Sequence, residues 1–121
     1  MTHPGSKKFF AALDQLVADG EIVIDRPKGN PHPSIPEVTY PLDYGYLAGT
    51  TSADGEGIDV FVGSAYGRGA AGVLLTADVV KRDAEMKVLV DCTDAEIGIA
   101  RDFLSDLGIG GHFVRRPPHM P

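Results

Sequence analysis

The sequence predicts a mainly β domain of the α+β class, a small antiparallel barrel of five or six short strands with two flanking helices. Fifteen Gly and nine Pro among 121 residues indicate many turns, and therefore short strands rather than long helices. Several runs rich in β-branched and aromatic residues have the length of strands. Only two segments show the apolar spacing of an amphipathic helix.

The first predicted helix and strand come before a proline-rich loop. Ser6 can cap a helix whose apolar residues follow helical spacing, and Gly20 takes the usual position after the last turn. Glu21–Asp25 then has the pattern of a short strand. The prolines between Lys28 and Pro36 remove backbone donors and fix backbone angles, so this stretch is predicted to be an irregular loop.

The rest of the chain alternates strands with turns before a second helix and a last strand. Thr93 to Glu96 form a capping box that opens the second helix, and Gly108 closes it. An OB-like barrel fits this set of elements, although the strand count alone does not select it. The strands are predicted at Ile58–Val62, Ala71–Ala77, Met86–Val90 and His112–Val114.

Length, charge and hydropathy limit the functions that the chain can serve. It fits a single domain, 1–121. Its net charge of −6 argues against nucleic-acid binding, which needs a basic surface. No stretch approaches the ~20 apolar residues of a membrane span. Met1–Gly5 lack the apolar core of a secretory signal, and the single Cys92 excludes an internal disulfide, so we expect a cytoplasmic protein.

Three carboxylates within six residues form the first candidate site. Asp54, Glu56 and Asp59 lie on a glycine-containing loop that enters a predicted strand. Mg²⁺ prefers oxygen ligands and keeps several waters, so two or three convergent carboxylates suffice to bind it. A solvated acidic turn is the alternative. An EF-hand calcium loop fits poorly, because Ile58 stands where an oxygen ligand is required.

A second cluster mixes acids with bases between two predicted strands. Lys and Arg neutralise charge on a phosphoryl group while metal ions hold it, so this mixture suits a phosphate site. A polar hairpin loop is the alternative. Two acidic clusters at the ends of neighbouring strands favour convergence in space. The residues are Asp78, Lys81, Arg82, Asp83, Glu85 and Lys87.

Tyr40 to Tyr46 is the third candidate. Tyr hydroxyls can donate to phosphate oxygens, and Gly45 permits close approach of the backbone. Packing at the start of a strand is the alternative. His32, between two prolines, is either a phosphate or metal contact or an exposed loop histidine. Arg115 and its neighbour are either a phosphate contact or surface charges.

These clusters occur in the order and spacing of the soluble family I inorganic pyrophosphatases, which the chain resembles. That family reads Tyr-Pro-x-x-Tyr-Gly-Tyr and then Asp-Gly-Asp-Pro-hydrophobic-Asp, where this chain has Tyr40 to Tyr46 and Asp54 to Asp59. A Gly-Val-hydrophobic strand and two more aspartates follow, matched here from Gly72 onward. The chain is similar to a short variant group of the family.

The resemblance implies an OB-like barrel, Mg²⁺, and hydrolysis of pyrophosphate to two phosphates by a cytoplasmic homo-oligomer. Glu56 stands where the family has the aspartate that positions the attacking water. Its extra methylene moves the carboxylate by up to ~1.5 Å, a shift that can slow an enzyme on the order of 10²-fold. The implied metal ligands are Asp54, Asp59, Asp78 and Asp83.

The chain also departs from the family in its phosphate-binding residues. The early Lys-x-Glu element and the hairpin arginine have no clear counterpart, and Lys28, His32 or Glu37 would substitute in part. The late Tyr-Lys pair is missing, with Arg115 as a replacement. Glu85 stands in place of a lysine. The implied phosphate contacts are Tyr44, Lys81, Arg82, Lys87, Lys28 and Arg115.

Two other functions stay open on the sequence alone. One keeps the metal site and acts on another small diphosphate or a phosphoester, because lost basic elements leave room for an organic group. The other is a barrel that binds metal or phosphate without turnover, which Glu56 and the missing contacts favour. Retention of all four metal-type aspartates argues against it.

Overall fold

The structure is a computed structural model that describes residues 4–118. The expectation about the N-terminus therefore rests partly on residues 1–3, which lie outside the described residues. The elements are α1 (Pro4–Asp19), β1 (Glu21–Arg26), β2 (Asp43–Ala48), β3 (Ile58–Val62), β4 (Ala70–Asp78), β5 (Asp83–Val90), α2 (Asp94–Asp106) and β6 (Gly110–Arg115).

The predicted fold class is confirmed. Six strands form one sheet in the order β1-β2-β3-β5-β4-β6, and two helices accompany it. Neighbouring strands are antiparallel except β3 and β5, which run parallel. The edges β1 and β6 do not pair with each other among the described residues, so the OB-like sheet stays open rather than closing into a barrel.

The two helices cover opposite faces of this sheet. Successive strand residues point to opposite faces, and the core divides accordingly. Phe10 and Leu13 of α1 pack with Val60 and Val88. Phe103 of α2 packs against the other face, where the side chains of Phe61 and Leu89 point. Because Asp59 and Lys87 have the parity of the second set, they lie on the α2 face.

Both helices begin and end for identifiable reasons. α1 starts at Pro4, ahead of the predicted cap Ser6, since proline is well suited to the first turn of a helix. Its predicted end at Gly20 is confirmed by the bond from that N–H to the Leu16 carbonyl, 3.0 Å. The predicted capping box of α2 is also present, with Thr93 and Glu96 bonded reciprocally.

The strand bounds differ from the prediction mainly around turns. The proline-rich loop is irregular, as predicted, and contains an isolated bridge between Pro31 and Thr39. β5 begins at Asp83, three residues before the predicted start, because it pairs with β4 as far as the hairpin. Ile58–Val62 has the predicted bounds.

Gly45 explains how β1 and β2 come together. A Cβ on this residue would lie 1.8 Å from the Val23 carbonyl oxygen, closer than any real contact. The close approach predicted for Gly45 is therefore to the neighbouring strand. A bulge between Ile24 and Arg26 follows, and it places Arg26 opposite Tyr44.

Candidate active site

Lys87 is the centre of the candidate site. Its residue is 7% exposed. Its Nζ donates to the Tyr44 hydroxyl at 2.8 Å, to Asp59 Oδ2 at 3.0 Å and to Glu85 Oε2 at 3.2 Å. The parallel pairing of β3 with β5 sets Asp59 directly opposite Lys87, and Glu85 precedes it by one strand repeat on the same face.

The charges around Lys87 fix its protonation and that of Tyr44. Burial acts to lower the pKa of Lys87, but the bonds and charges of Tyr44 and Asp59 outweigh burial and raise the pKa above its ordinary value. Burial raises the pKa of the Tyr44 hydroxyl, against the lowering effect of Lys87. The site therefore holds an ammonium group beside a neutral phenol at physiological pH.

Glu85 interacts with several of the other acidic groups, although no metal or catalytic role was predicted for it. Burial raises the pKa of its carboxyl; Lys87 lowers it, and the charges of Asp59 and Asp83 raise it further. The sequence signal was its alternation with Lys87 and Asp83 along one strand, which puts these three side chains on one face.

The first acidic loop is a turn held by its own carboxylate. Asp54 Oδ1 accepts the Ser52 hydroxyl at 2.6 Å and the Glu56 N–H at 2.9 Å. The bond from Ser52 lowers the pKa of Asp54, and interactions with Glu56 and Glu85 also lower it. Asp54 therefore stands close to Glu85, while Glu56 is exposed on the same turn.

The second acidic cluster is likewise a turn, at the tip of the β4–β5 hairpin. Asp78 Oδ1 accepts the N–H groups of Val80 at 3.0 Å and of Lys81 at 3.1 Å. Asp83 faces Asp78 across the hairpin and is exposed. Arg82 has a φ of 59° at the tip, which fixes the reversal of the chain.

A small basic pocket lies beside Lys87 on the α2 face. Its volume is about 70 Å³. Arg26 donates to the Tyr40 hydroxyl at 2.6 Å, and its guanidinium lies 5.8 Å from the centre of the Tyr44 ring. No carboxylate is among the described residues that line it. These are Arg26, His32, Tyr40, Tyr44, Phe61, Lys81, Lys87, Phe103, Leu104, Leu107 and Ile109.

The structure brings together some of the predicted phosphate contacts and leaves others apart. Tyr44, Lys81 and Lys87 line the basic pocket. Lys28 is exposed in the loop after β1, where its backbone N–H donates to Asp43 at 2.9 Å. Arg115 is on edge strand β6, three strands from β3, and pairs with Asp94 at 3.0 Å.

Arg26 was not among the predicted site residues, whereas His32 was predicted only as one of two alternatives and Tyr40 only as part of the tyrosine motif. Arg26 is the last residue of β1, and its approach to Tyr44 depends on the β1 bulge. His32 and Tyr40 meet because the loop folds back, with their rings stacked at 5.8 Å between centroids. The sequence signal for the pair was the rigid proline-flanked loop ahead of the tyrosine motif.

The carboxylates fit a magnesium ion in chemistry and partly in position. Asp54, Asp59, Asp83 and Glu85 offer hard oxygen ligands, and Glu85 interacts with each of the other three. Residues 4–118 nevertheless contain no group of three or more potential ligands already converged for a metal ion. Lys87 instead neutralises two of these carboxylates.

Comparison with known proteins supports the fold of this chain. No protein-family model matches this chain, and no curated protein sequence matches it. Among solved structures, the chain is similar to an inorganic pyrophosphatase from Coxiella burnetii, with a TM-score of 0.55 and 16% identity. The match covers 78% of this chain and 82% of that one. At this identity the likeness establishes a shared fold.

A helix that crosses a membrane must be long and apolar. No helix within residues 4–118 is long and apolar enough to cross a membrane.

Proposed function

We propose that this chain hydrolyses inorganic pyrophosphate to two phosphates, with Mg²⁺ as cofactor. The observation that carries the proposal is the position of Lys87, whose ammonium bridges the acidic group and the basic pocket. A metal-bound diphosphate needs both kinds of group. Carboxylates bind the metal ions that hold some of its oxygens, and hydrogen-bond donors contact the oxygens that no metal ion holds. The shared fold with a solved inorganic pyrophosphatase supports the same conclusion.

The cofactor would be held by the carboxylates at the ends of β3 and β5. We assign this role to Asp54, Asp59, Asp78 and Asp83, and we add Glu85 because it interacts with Asp54, Asp59 and Asp83. Bound Mg²⁺ supplies charge neutralisation on the diphosphate and a more acidic water. Glu56 is proposed to orient that water, since its carboxylate is exposed on the Asp54 turn.

The chain's own cations and phenols would bind the phosphoryl oxygens. Lys87 carries a permanent charge and Tyr44 keeps its proton, so both are donors to an oxyanion. Arg26 and Lys81 line the same pocket. With a volume of about 70 Å³, this pocket is far below the roughly 300–1,000 Å³ typical of sites for organic ligands, which favours a bare phosphoryl group.

A phosphate-release assay with Mg²⁺ and pyrophosphate tests the proposal. Asp59→Asn keeps the size of the side chain and removes its charge, so we expect release to fall by about 10²-fold or more. Asp102→Asn, an exposed change on α2, is the matched control and should leave release unchanged. Absence of release from folded wild-type protein with Mg²⁺ would overturn the proposal.

An organic diphosphate is a second candidate substrate, favoured by one further cleft. Its volume is about 430 Å³, and Ile58, Leu75 and Met86 line it together with Asp54 and Glu85. An organic group could lie there while its phosphates reach the same carboxylates. A panel of nucleoside diphosphates and alkyl diphosphates, compared with pyrophosphate, distinguishes the two substrates.

We also propose that residues 1–121 form one domain, and that the protein acts in the cytoplasm as a homo-oligomer. Both helices pack on one shared sheet, which supports a single domain. Within residues 4–118 the outer sides of the edge strands β1 and β6 pair with no other strand, which leaves them available to pair with a second copy. Light scattering in solution measures the oligomeric state.

A further inference from the structure

His32 is held in the basic pocket by contacts on three sides. Its backbone N–H donates to the Val38 carbonyl at 2.7 Å, which folds the loop back on itself. Its ring is stacked on Tyr40, with 6° between the ring planes. Its Nδ1 accepts the Ser34 N–H at 3.1 Å. A ring held in this way is part of the pocket wall rather than a freely rotating surface group.

The contact with Ser34 determines which ring nitrogen can donate. A nitrogen that accepts a hydrogen bond carries no proton, so the neutral ring has its proton on Nε2. Ser34 therefore selects a tautomer in which the imidazole is a donor at its far end. Among the described residues that line this pocket, none carries a carboxylate that would accept a hydrogen bond from Nε2.

Burial and the surrounding positive charges keep the ring neutral. Burial lowers the pKa of His32, and the positive charges of Arg26 and Lys81 lower it further. Lys87 and the hydroxyls of Tyr40 and Tyr44 are the other polar groups lining the pocket, and α2 contributes only apolar side chains to it. Near pH 7 the pocket then contains three cations, the two phenol hydroxyls and the neutral imidazole of His32.

We propose that His32 is a substrate-binding residue, which donates a hydrogen bond from Nε2 as a neutral imidazole to a phosphoryl oxygen. The inference rests on the proposed function, because it assigns one more contact to the same substrate. Binding needs no change of protonation, so the ring contributes equally over the pH range in which it is neutral. Below that range protonation of Nδ1 breaks the Ser34 contact.

Two substitutions separate the role of Nε2 from that of Nδ1. Asn at position 32 can still accept the Ser34 N–H but has no group at the place of Nε2. Gln can reach that place with its amide donor. We expect His32→Asn to weaken the binding of inorganic phosphate by about ten- to a hundredfold, the range for a hydrogen bond to a charged group. His32→Gln should retain most of the affinity.

Calorimetric titration with inorganic phosphate measures these affinities, with His112→Asn on β6 as the control. Nitrogen NMR of the wild-type ring should show the Nε2–H tautomer and a shift of that signal with phosphate. Equal affinity of His32→Asn and wild type, or no phosphate binding at all, overturns the inference. Because phosphate is not turned over, binding through His32 without pyrophosphate hydrolysis would overturn the proposed function and leave this inference standing.

Discussion

The acidic and basic halves of the candidate site are built in different ways. The acidic half consists of Asp59 and Glu85 on strands β3 and β5 and of two exposed turns, in which Asp54 and Asp78 bond to the N–H groups of their own loops. The basic half comes from strands, a loop and a hairpin tip that meet over aromatic rings, with Tyr40 only 4% exposed. The acidic half can therefore rearrange around an ion, whereas the basic half is already shaped for an anion.

Gly45→Ala should disturb the strand pairing that supports the basic half, and we expect it to have the largest effect on stability. The new Cβ would meet the Val23 carbonyl oxygen at 1.8 Å, so β1 and Arg26 at its end must move. Overpacking against backbone allows little relaxation, and we expect a loss of about 3 kcal/mol in the free energy of unfolding. Urea unfolding measures it.

Gly98→Ala is the matched control for this substitution. Gly98 lies in α2, and a Cβ there meets nothing within 4 Å. The same chemical change should therefore stabilise the protein by roughly 0.5–1 kcal/mol, as it does in helix interiors. Equal effects of the two substitutions would show that the β1–β2 approach is not a constraint.

Lys87→Met tests whether one ammonium joins the two halves. The variant leaves Asp59 and Glu85 without their cation. Because their side chains are 27% and 24% exposed, we expect a loss of only about 1–2 kcal/mol, below the cost of breaking a fully buried pair. Mg²⁺ should raise the melting temperature of the variant more than that of the wild type. An equal increase in both proteins would contradict the assignment.

Asp54→Asn distinguishes the two roles of Asp54, which are to hold its turn together and to bind Mg²⁺. An amide oxygen can accept from Ser52 and from the Glu56 N–H as the carboxylate does, so thermal stability should stay unchanged. Loss of the charge should weaken Mg²⁺ binding roughly tenfold. Calorimetry with Mg²⁺ alone measures this, and unaltered affinity would remove Asp54 from the proposed ligands.

Glu96→Gln concerns an acid with a purely structural role, and its expected effect is the smallest. Burial opposes ionisation of Glu96, but bonds from the N–H groups of Thr93 and Ser64 outweigh burial and hold its pKa below the ordinary 4.5. Its stabilising charge is therefore present above pH 4.5 and is lost as pH falls through the folded-state pKa. Gln should cost about 0.5 kcal/mol near pH 7 and nothing in strong acid, as acid-dependent urea unfolding can check.

The elements that local signals define were predicted well. Ile58–Val62 and the capped start of α2 follow from residue types and spacing within a few positions. The acidic half was partly predictable for the same reason, since Asp54, Glu56 and Asp59 are neighbours in the chain. Glu85 needed the strand to begin earlier than its apolar run suggests.

The basic half was predicted only in part: Tyr44, Lys81 and Lys87 were named as phosphate contacts, but the way in which the pocket is assembled depends on contacts between distant residues. Arg26 bonds to Tyr40 across 14 positions, and Lys87 bonds to Tyr44 across 43. The first contact requires the β1 bulge, and the second requires the parallel pairing of β3 with β5. Neither feature leaves a local pattern, and Arg115 was predicted for the site although β6 places it beside α2.

The buried Lys87 also protects the alignment of the two parallel strands. Val88, Leu89 and Val90 are buried on both faces of the sheet, so their apolar pattern would tolerate a slip by one residue. Such a slip would turn Lys87 toward the aliphatic layer under α1 and leave Asp59 without its cation. The ammonium group of Lys87 therefore also disfavours a shifted register of β3 and β5. A substitution of Lys87 by an apolar residue would remove this preference for the correct register.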